Sequence, residues 1–226
     1  MDDDRDLRTF SGRCRLFPLP GVVLFPHVVL ALHIFEPRYR QMTADALADD
    51  NLITIVQLLP TSPGTGSPPI EEVGCLGRII QHEPLPDGRY NFLLLGRKRV
   101  RLRREVASEK LYRIAEAEIL EDAEDGVGEA PARQELIALF RRAFERQHEP
   151  DPDITAILET SIPLSVLTDI VAHALGLPAE SKQRLLAEPR PGRRADGLIA
   201  VLKQILARPG GALAGREGFP PPFSVN

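Results

Sequence analysis

Apolar residues follow a period of two in the first half of the chain and a period near 3.6 in the second half. The alternation predicts strands. Two or three short strands, interrupted by prolines, are predicted within 14–35. The further predicted strands are 52–59, 73–83, 89–106 and 112–120. One helix is predicted within this half, over 37–49, because Met42, Ala46 and Leu47 share an apolar face.

The second half reads as a set of amphipathic helices. Their predicted ranges are 131–148, 154–160, 164–175, 179–187 and 197–206. Strands first and helices second predict an α+β protein with two segregated subdomains. The predicted divisions are a flexible acidic arm (1–12), a β subdomain (13–121), an acidic glycine-containing linker (122–130), a helical subdomain (131–208) and a Pro/Gly-rich tail (209–226).

Composition indicates an ordinary globular protein. The chain has 226 residues, of which 43% are hydrophobic and 27% charged, and its net charge of -4 disfavours a general polyanion binder. Cys14 and Cys75 form neither a disulfide framework nor a C-x-x-C motif. The apolar run 22–35 is interrupted by Pro26 and is too short to span a bilayer, which needs roughly 20 apolar residues. With no signal-peptide pattern, we expect a cytoplasmic protein without membrane association.

Three short motifs near the N-terminus occur in a specific order. They are L-F-P-L-P at 16–20, V-L-F-P at 23–26 and L-x-I-F-E-P-R-Y at 32–39. In this order and spacing they closely resemble the start of the Lon protease N-terminal (substrate-binding) domain family. The helical half adds to the resemblance at 167–172 and 182–186, whereas the start of the last helix, 193–198, departs from the family pattern.

The resemblance implies both a fold and a role. The implied fold is an N-terminal PUA-like pseudo-β-barrel followed by a C-terminal α-helical bundle. The implied role is recognition of unfolded or damaged proteins and peptides in proteolysis or protein quality control. A separate protease is a further candidate partner.

The end of the third motif is the candidate peptide-binding site. Its residues are Phe35, Glu36, Arg38, Tyr39 and Arg40. Pro37 suits the first turn of a helix, so this segment converts a strand into a helix. Two interpretations remain open. The cluster lines a peptide-binding groove with the 60–69 loop as its flap, or Glu36 and Arg38 pair to fix the turn while Tyr39 packs on the barrel.

A basic stripe is predicted on the strand 89–106. Strand geometry places Arg97, Arg99, Arg101 and Arg103 on one face, with Val100 and Leu102 pointing inward. Such a stripe could bind phosphates, so an RNA-binding PUA-like module is an alternative. No aromatic residues are interleaved for base stacking, and Glu116 and Glu118 alternate suitably to pair with the stripe across the sheet. A salt-bridged, solvated face is therefore favoured over RNA.

Catalytic and metal-binding motifs are missing from the sequence. There is no G-x-x-x-x-G-K-[ST] phosphate loop, and Ser108 and Lys110 lack any oxyanion-stabilising context. Candidate metal ligands are scattered singly: His27, His33, His82, Cys14 and Cys75. These absences predict a non-catalytic module with no cofactor and no metal, and the resemblance implies that it binds proteins. A small-molecule binder in the barrel pocket is the remaining alternative, and the oligomeric state is not predicted.

Overall fold

The structure, a computed structural model, describes residues 7, 10–60, 67–123, 129–145 and 160–207. Most of the predicted acidic arm, 60–69 loop, linker, 154–160 helix and C-terminal tail therefore lies outside the described residues. The chain divides into two compact units, one ending at Leu120 and the other beginning at Glu121. Six strands and five helices are described.

The first unit holds all six strands and one helix. Their bounds are β1 Arg13–Leu19, β2 Val29–Ile34, α1 Pro37–Leu47, β3 Leu52–Gln57, β4 Val73–Pro84, β5 Tyr90–Val106 and β6 Ile114–Ile119. The strand order is β2-β5-β4-β3-β1-β6, and β6 also pairs with β5. This extra pairing closes five strands into a barrel and leaves β2 as an added strand on β5. Barrel first and helices second confirm the predicted α+β class.

Two features of the ladder shape the barrel. β1 and β3 are parallel, and every other pair is antiparallel. β5 is long enough to serve two neighbours on one edge: its first half pairs with β2 over Tyr90–Leu95 and its second half with β6 over Val100–Val106. β4 runs along its other edge. The two halves of β5 therefore belong to different parts of the sheet.

Side chains fill the interior of the barrel. The core cluster consists of Leu7, Cys14, Leu16, Leu52, Val56, Leu76, Val100 and Ala115, each at most 8% exposed. Leu102 packs against this cluster, so the inward direction predicted for Val100 and Leu102 is confirmed. Burial of these apolar side chains is the main stabilising contribution to such a core.

Gly96 lies on β5 between the stretch paired with β2 and the stretch paired with β6, and the segment around Phe25 crosses it closely. A Cβ atom on Gly96 would lie 2.1 Å from the carbonyl oxygen of Phe25. His27 takes a left-handed conformation (φ 65°), and its N–H donates to Gly96 O at 2.8 Å. The N–H of Gly96 in turn donates to Val28 O at 2.8 Å. The crossing fixes the point at which β2 joins β5.

We expect Gly96→Ala to destabilise the protein by about 3 kcal/mol, the upper end of the range for overpacking, because backbone rather than a flexible side chain occupies the space. Urea denaturation followed by circular dichroism measures this. Gly197→Ala is the control: its added Cβ would lie 3.7 Å from Leu185 Cδ2, an ordinary contact distance, so helix propensity predicts a stabilisation of up to about 1 kcal/mol. Equal stability of Gly96→Ala and the wild type would contradict the close crossing.

The second unit is helical. Its described helices are α2 Glu129–Glu145, α3 Leu164–Ala174, α4 Ala179–Ala187 and α5 Pro191–Ala207. The predicted start of α5 at Gly197 is wrong by six residues. Pro191 begins the helix, where its missing N–H needs no partner, and the N–H of Arg194 already donates to Arg190 O. The charged and glycine residues of this first turn conceal the helical period in the sequence.

Arg194 is a buried arginine among the described residues of the second unit, and its side chain is only 1% exposed. Its Nε donates to Thr168 Oγ1 at 3.1 Å, and Nη1 donates to Asp122 Oδ1 at 2.7 Å and to Glu188 O at 3.0 Å. Asp169, also buried, lies 4.0 Å from Nε. One guanidinium therefore links α3, α5, the segment before α5 and the segment after β6.

We expect Arg194→Met to destabilise the helical unit by roughly 3–5 kcal/mol, because it leaves Asp169 buried without its cationic neighbour. Thermal unfolding of the two variants Arg194→Met and Arg193→Met gives the comparison. Arg193 is exposed and adjacent, so the same change there is expected to alter stability by less than about 0.5 kcal/mol. Similar losses in both variants would mean that the buried network contributes little.

Candidate peptide-binding site

The predicted site lies where β2 passes into α1. Phe35 follows the strand and is 39% exposed, and Glu36 is the residue before the helix, with extended backbone (φ -65°, ψ 134°). Arg38 Nη2 lies 2.8 Å from Glu36 Oε2, with both side chains substantially exposed. These three residues present one aromatic ring and one ion pair to solvent.

The other two predicted residues are anchors. Tyr39 is 6% exposed, and its ring centroid lies 4.3 Å from that of Phe17, on β1. Burial raises the pKa of the Tyr39 hydroxyl above its ordinary value. Arg40 reaches the β4–β5 turn, since a Cβ on Gly88 would lie 2.1 Å from its Nη2. The structure thus divides the five predicted residues into three surface and two structural ones.

A narrow cleft runs beside the end of β2. Its lining residues are Phe17, Leu19, Leu32, His33, Ile34, Phe35, Glu36 and Tyr39. The cleft has a volume of about 20 Å³, room for about one water molecule. Phe17 and Leu19 were not predicted as site residues, although they belong to the L-F-P-L-P motif. The cleft is too narrow for a large side chain. In this conformation of the protein, a ligand would therefore lie over the cleft and not inside it.

The His33 ring lies beside Phe35 and is held by two hydrogen bonds. Its Nδ1 lies 2.7 Å from Asn91 Oδ1, an acceptor, so Nδ1 carries the proton in this arrangement. Arg89 Nη1 then donates to the free Nε2 at 3.3 Å. The imidazole stacks beside Phe35 with centroids 6.2 Å apart. The His33 ring is therefore oriented by β5 and the residue before it, next to the exposed Phe35 ring.

The arginine strand differs from its prediction. Arg99 is only 3% exposed, so it does not belong to an exposed stripe, and Arg97 and Arg101 are half-buried. A bulge after Leu102 shifts the register, so that Arg104 rather than Arg103 stands opposite Glu116. Arg103 pairs with Glu118 at 2.5 Å, and Arg104 pairs with Glu116 at 2.7 Å. Strand alternation fixes which face a residue occupies, but not what covers that face.

A second, larger cleft of about 260 Å³ lies beside the start of β1. Arg15 crosses it and binds Asp49 and Asp50 at 2.6 Å each. Burial raises the pKa of the Cys14 thiol to about 11 and that of Tyr112 to about 12. Neither group therefore supplies a nucleophile or a general base at neutral pH. The cleft falls slightly below the usual volume of small-molecule sites, roughly 300–1,000 Å³.

Metal binding and membrane crossing find no support in the part of the chain that the structure describes. No group of three or more His, Cys, Asp or Glu side chains there is placed to hold a metal ion. No described helix is both long and apolar enough to cross a membrane.

Comparison with known proteins places the chain in a family. The model of the ATP-dependent protease La (LON) substrate-binding domain matches residues 13–204. The chain belongs to the Lon substrate-binding domain family. The match covers both compact units and includes β2, α1 and the cleft beside them.

Relatives and solved structures agree with this assignment. Lon protease 3 of Sorangium cellulosum is 27% identical over 196 residues, and the Lon protease of Rhizobium meliloti is 24% identical over 179 residues. These matches cover 85% and 79% of this chain but only 23% and 22% of the relatives. The chain therefore spans about a quarter of their length.

Two solved structures share the fold. A Lon N-terminal domain protein from Xanthomonas campestris has a TM-score of 0.63 at 24% identity, covering 83% of this chain and 97% of that one. The N-terminal domain of a Mycobacterium avium complex Lon protease has a TM-score of 0.65 at 16% identity, covering 84% and 98%. At these identities the similarity establishes the fold.

The buried thiol in the second cleft gives a pH prediction. Cys14 loses its proton near pH 9 when unfolded but only near pH 11 in the folded protein. Its contribution to stability is therefore fully present below pH 9 and is lost as the pH rises to 11, by about 3 kcal/mol. Urea unfolding at pH 8, 9, 10 and 11 should show a smaller decline for Cys14→Ala than for the wild type. Parallel declines would show that the thiol does not titrate in this range.

Proposed function

We propose that this Lon substrate-binding domain chain is a cytoplasmic, non-catalytic module that binds unfolded or damaged polypeptides for proteolysis. Phe35, Glu36 and Arg38 form the contact surface, supported by Tyr39 and Arg40. A separate protease is a further candidate partner. The observation that carries the proposal is an exposed aromatic ring at the end of a strand whose neighbouring cleft is lined mainly by apolar side chains.

Chemistry and exposure support this surface over others. An exposed phenylalanine on a supported strand end is a typical contact residue, because covering it with apolar atoms removes it from water. The ion pair of Glu36 and Arg38 beside it is internally neutral, so the surface favours no particular charge in its ligand. An unfolded chain exposes apolar segments of many sequences, which suits a surface of this kind.

The RNA alternative loses support from the placement of its residues. Arg99 is buried, and Arg103 and Arg104 are paired with glutamates. Aromatic platforms for stacked bases are not interleaved with these arginines. Salt-dependent RNA binding that is abolished by Arg103→Glu combined with Arg104→Glu would instead assign the function to this strand.

We expect the chain to bind reduced, carboxymethylated α-lactalbumin and not the native, disulfide-bonded form. Phe35→Ala should weaken this binding about fivefold. The smaller side chain buries less apolar area on binding, and the lost burial costs about 1 kcal/mol of binding free energy. Fluorescence anisotropy with labelled α-lactalbumin measures the affinity for the unfolded and the native form, and the change in affinity caused by Phe35→Ala. Ile80→Ala is the matched control, because Ile80 is 49% exposed on β4 and β5 separates it from β2.

Two results would contradict the proposal. Binding of the unfolded form that neither variant changes would move the site away from Phe35. Lack of binding at high micromolar concentration would remove the proposed function itself.

A further inference from the structure

Among the residues that the structure describes, β2 is the terminal strand of the sheet and β5 is its one partner strand. No described strand lies along the outer edge of β2. Because hydrogen-bonded and non-hydrogen-bonded pairs alternate in an antiparallel ladder, the bond from Gly96 N–H to Val28 O sets the phase. In this phase Leu30, Leu32 and Ile34 bond to β5. The backbone N–H and C=O of residues 29, 31 and 33 then point away from β5.

The most exposed part of this edge is its end at Phe35, and buried Ala31 separates that end from the half-buried Val29. Ala31 is 4% exposed, so the middle of the strand is covered. His33 is half-buried and Phe35, next in the same phase, is 39% exposed. Between Phe35 and the start of α1 lies Glu36, whose carbonyl accepts from the N–H groups of Tyr39 and Arg40. The open edge therefore runs from His33 to Phe35, about 10 Å of strand.

This length decides between possible occupants. A stable dimer buries roughly 800 Å² on each partner, far more than three residues of edge provide. A short extended peptide needs only such a length, because recognition by strand addition relies on a few main-chain hydrogen bonds. No charged residue lies between Val29 and Phe35, so the edge lacks the lysines and other charges that block pairing on many edge strands.

We propose that an extended polypeptide segment adds to the His33–Phe35 edge as a strand, with an apolar side chain lying over the cleft against Phe35. This inference rests on the proposed function and names its ligand class: extended segments rather than helices or folded surfaces. The two outward N–H and two outward C=O groups of His33 and Phe35 bond to the ligand main chain. The cleft of about 20 Å³ admits no large side chain, so selectivity among apolar residues is low.

The test uses the spacing of main-chain bonds. The probe is a fluorescein-labelled, end-blocked octapeptide of alternating threonine and valine with one central phenylalanine. A series of variants carries one N-methyl group at each successive amide, which removes one N–H donor at a time. A strand uses alternate N–H groups on one edge, so affinity for the intact chain should fall about tenfold at every second position near the centre and change little at the positions between.

Protein variants connect this pattern to the edge. Phe35→Ala should weaken binding of the unmodified octapeptide, whereas Ile80→Ala should not. A uniform effect of N-methylation, or no effect, would overturn strand addition. Binding of unfolded α-lactalbumin without binding of the octapeptide would also overturn it while leaving the proposed function in place. A dimer in analytical ultracentrifugation that Phe35→Ala dissociates would assign the edge to a second copy and overturn the peptide as occupant.

Discussion

The first unit depends on the crossing of the Phe25–Val28 segment over Gly96. There is no room for a side chain at Gly96, because the carbonyl oxygen of Phe25 lies 2.1 Å from where a Cβ would be. The left-handed backbone of His27 lets the chain turn there and pair directly with the first half of β5. That pairing places Leu32 and His33 beside Phe92 and Asn91. The position of Phe35 and of the cleft follows from this backbone contact.

Much of the fold was predictable from local patterns. Alternation located the strands, and helical periodicity located α1, α3 and α4 to within about two residues at each end. Closure of the barrel was not predictable in this way, since β6 pairs with both β1 and β5 and those contacts are distant in sequence. The covered surface over Arg99 was missed for the same reason: alternation assigns a face, whereas burial depends on what packs there.

The prediction for the last helix failed for a different physical reason. Arg194 interrupts the apolar pattern of α5, although it lies four residues before Leu198 and eight before Leu202, on their buried face. A polar residue at a core position is acceptable only with hydrogen-bonding partners. The partners, Thr168 and Asp122, lie 26 and 72 residues away in sequence. The helical spacing was a usable signal, but only the fold reveals why the arginine is tolerated.

The sequence predicted which residues gather at the candidate site better than it predicted what each of them does there. The motif residues do surround it, yet Tyr39 and Arg40 act as supports, and the edge of β2 emerges only from sheet topology. An open strand edge normally promotes aggregation, and proteins keep such edges short or covered. Here Ala31 is covered and α1 begins at Pro37, which together limit the open edge to about three residues. An edge of this length suits weak, sequence-tolerant binding of one extended segment, because it offers few hydrogen bonds and one exposed ring. Higher affinity for an unfolded protein would then have to come from several segments of the same chain binding in turn or together.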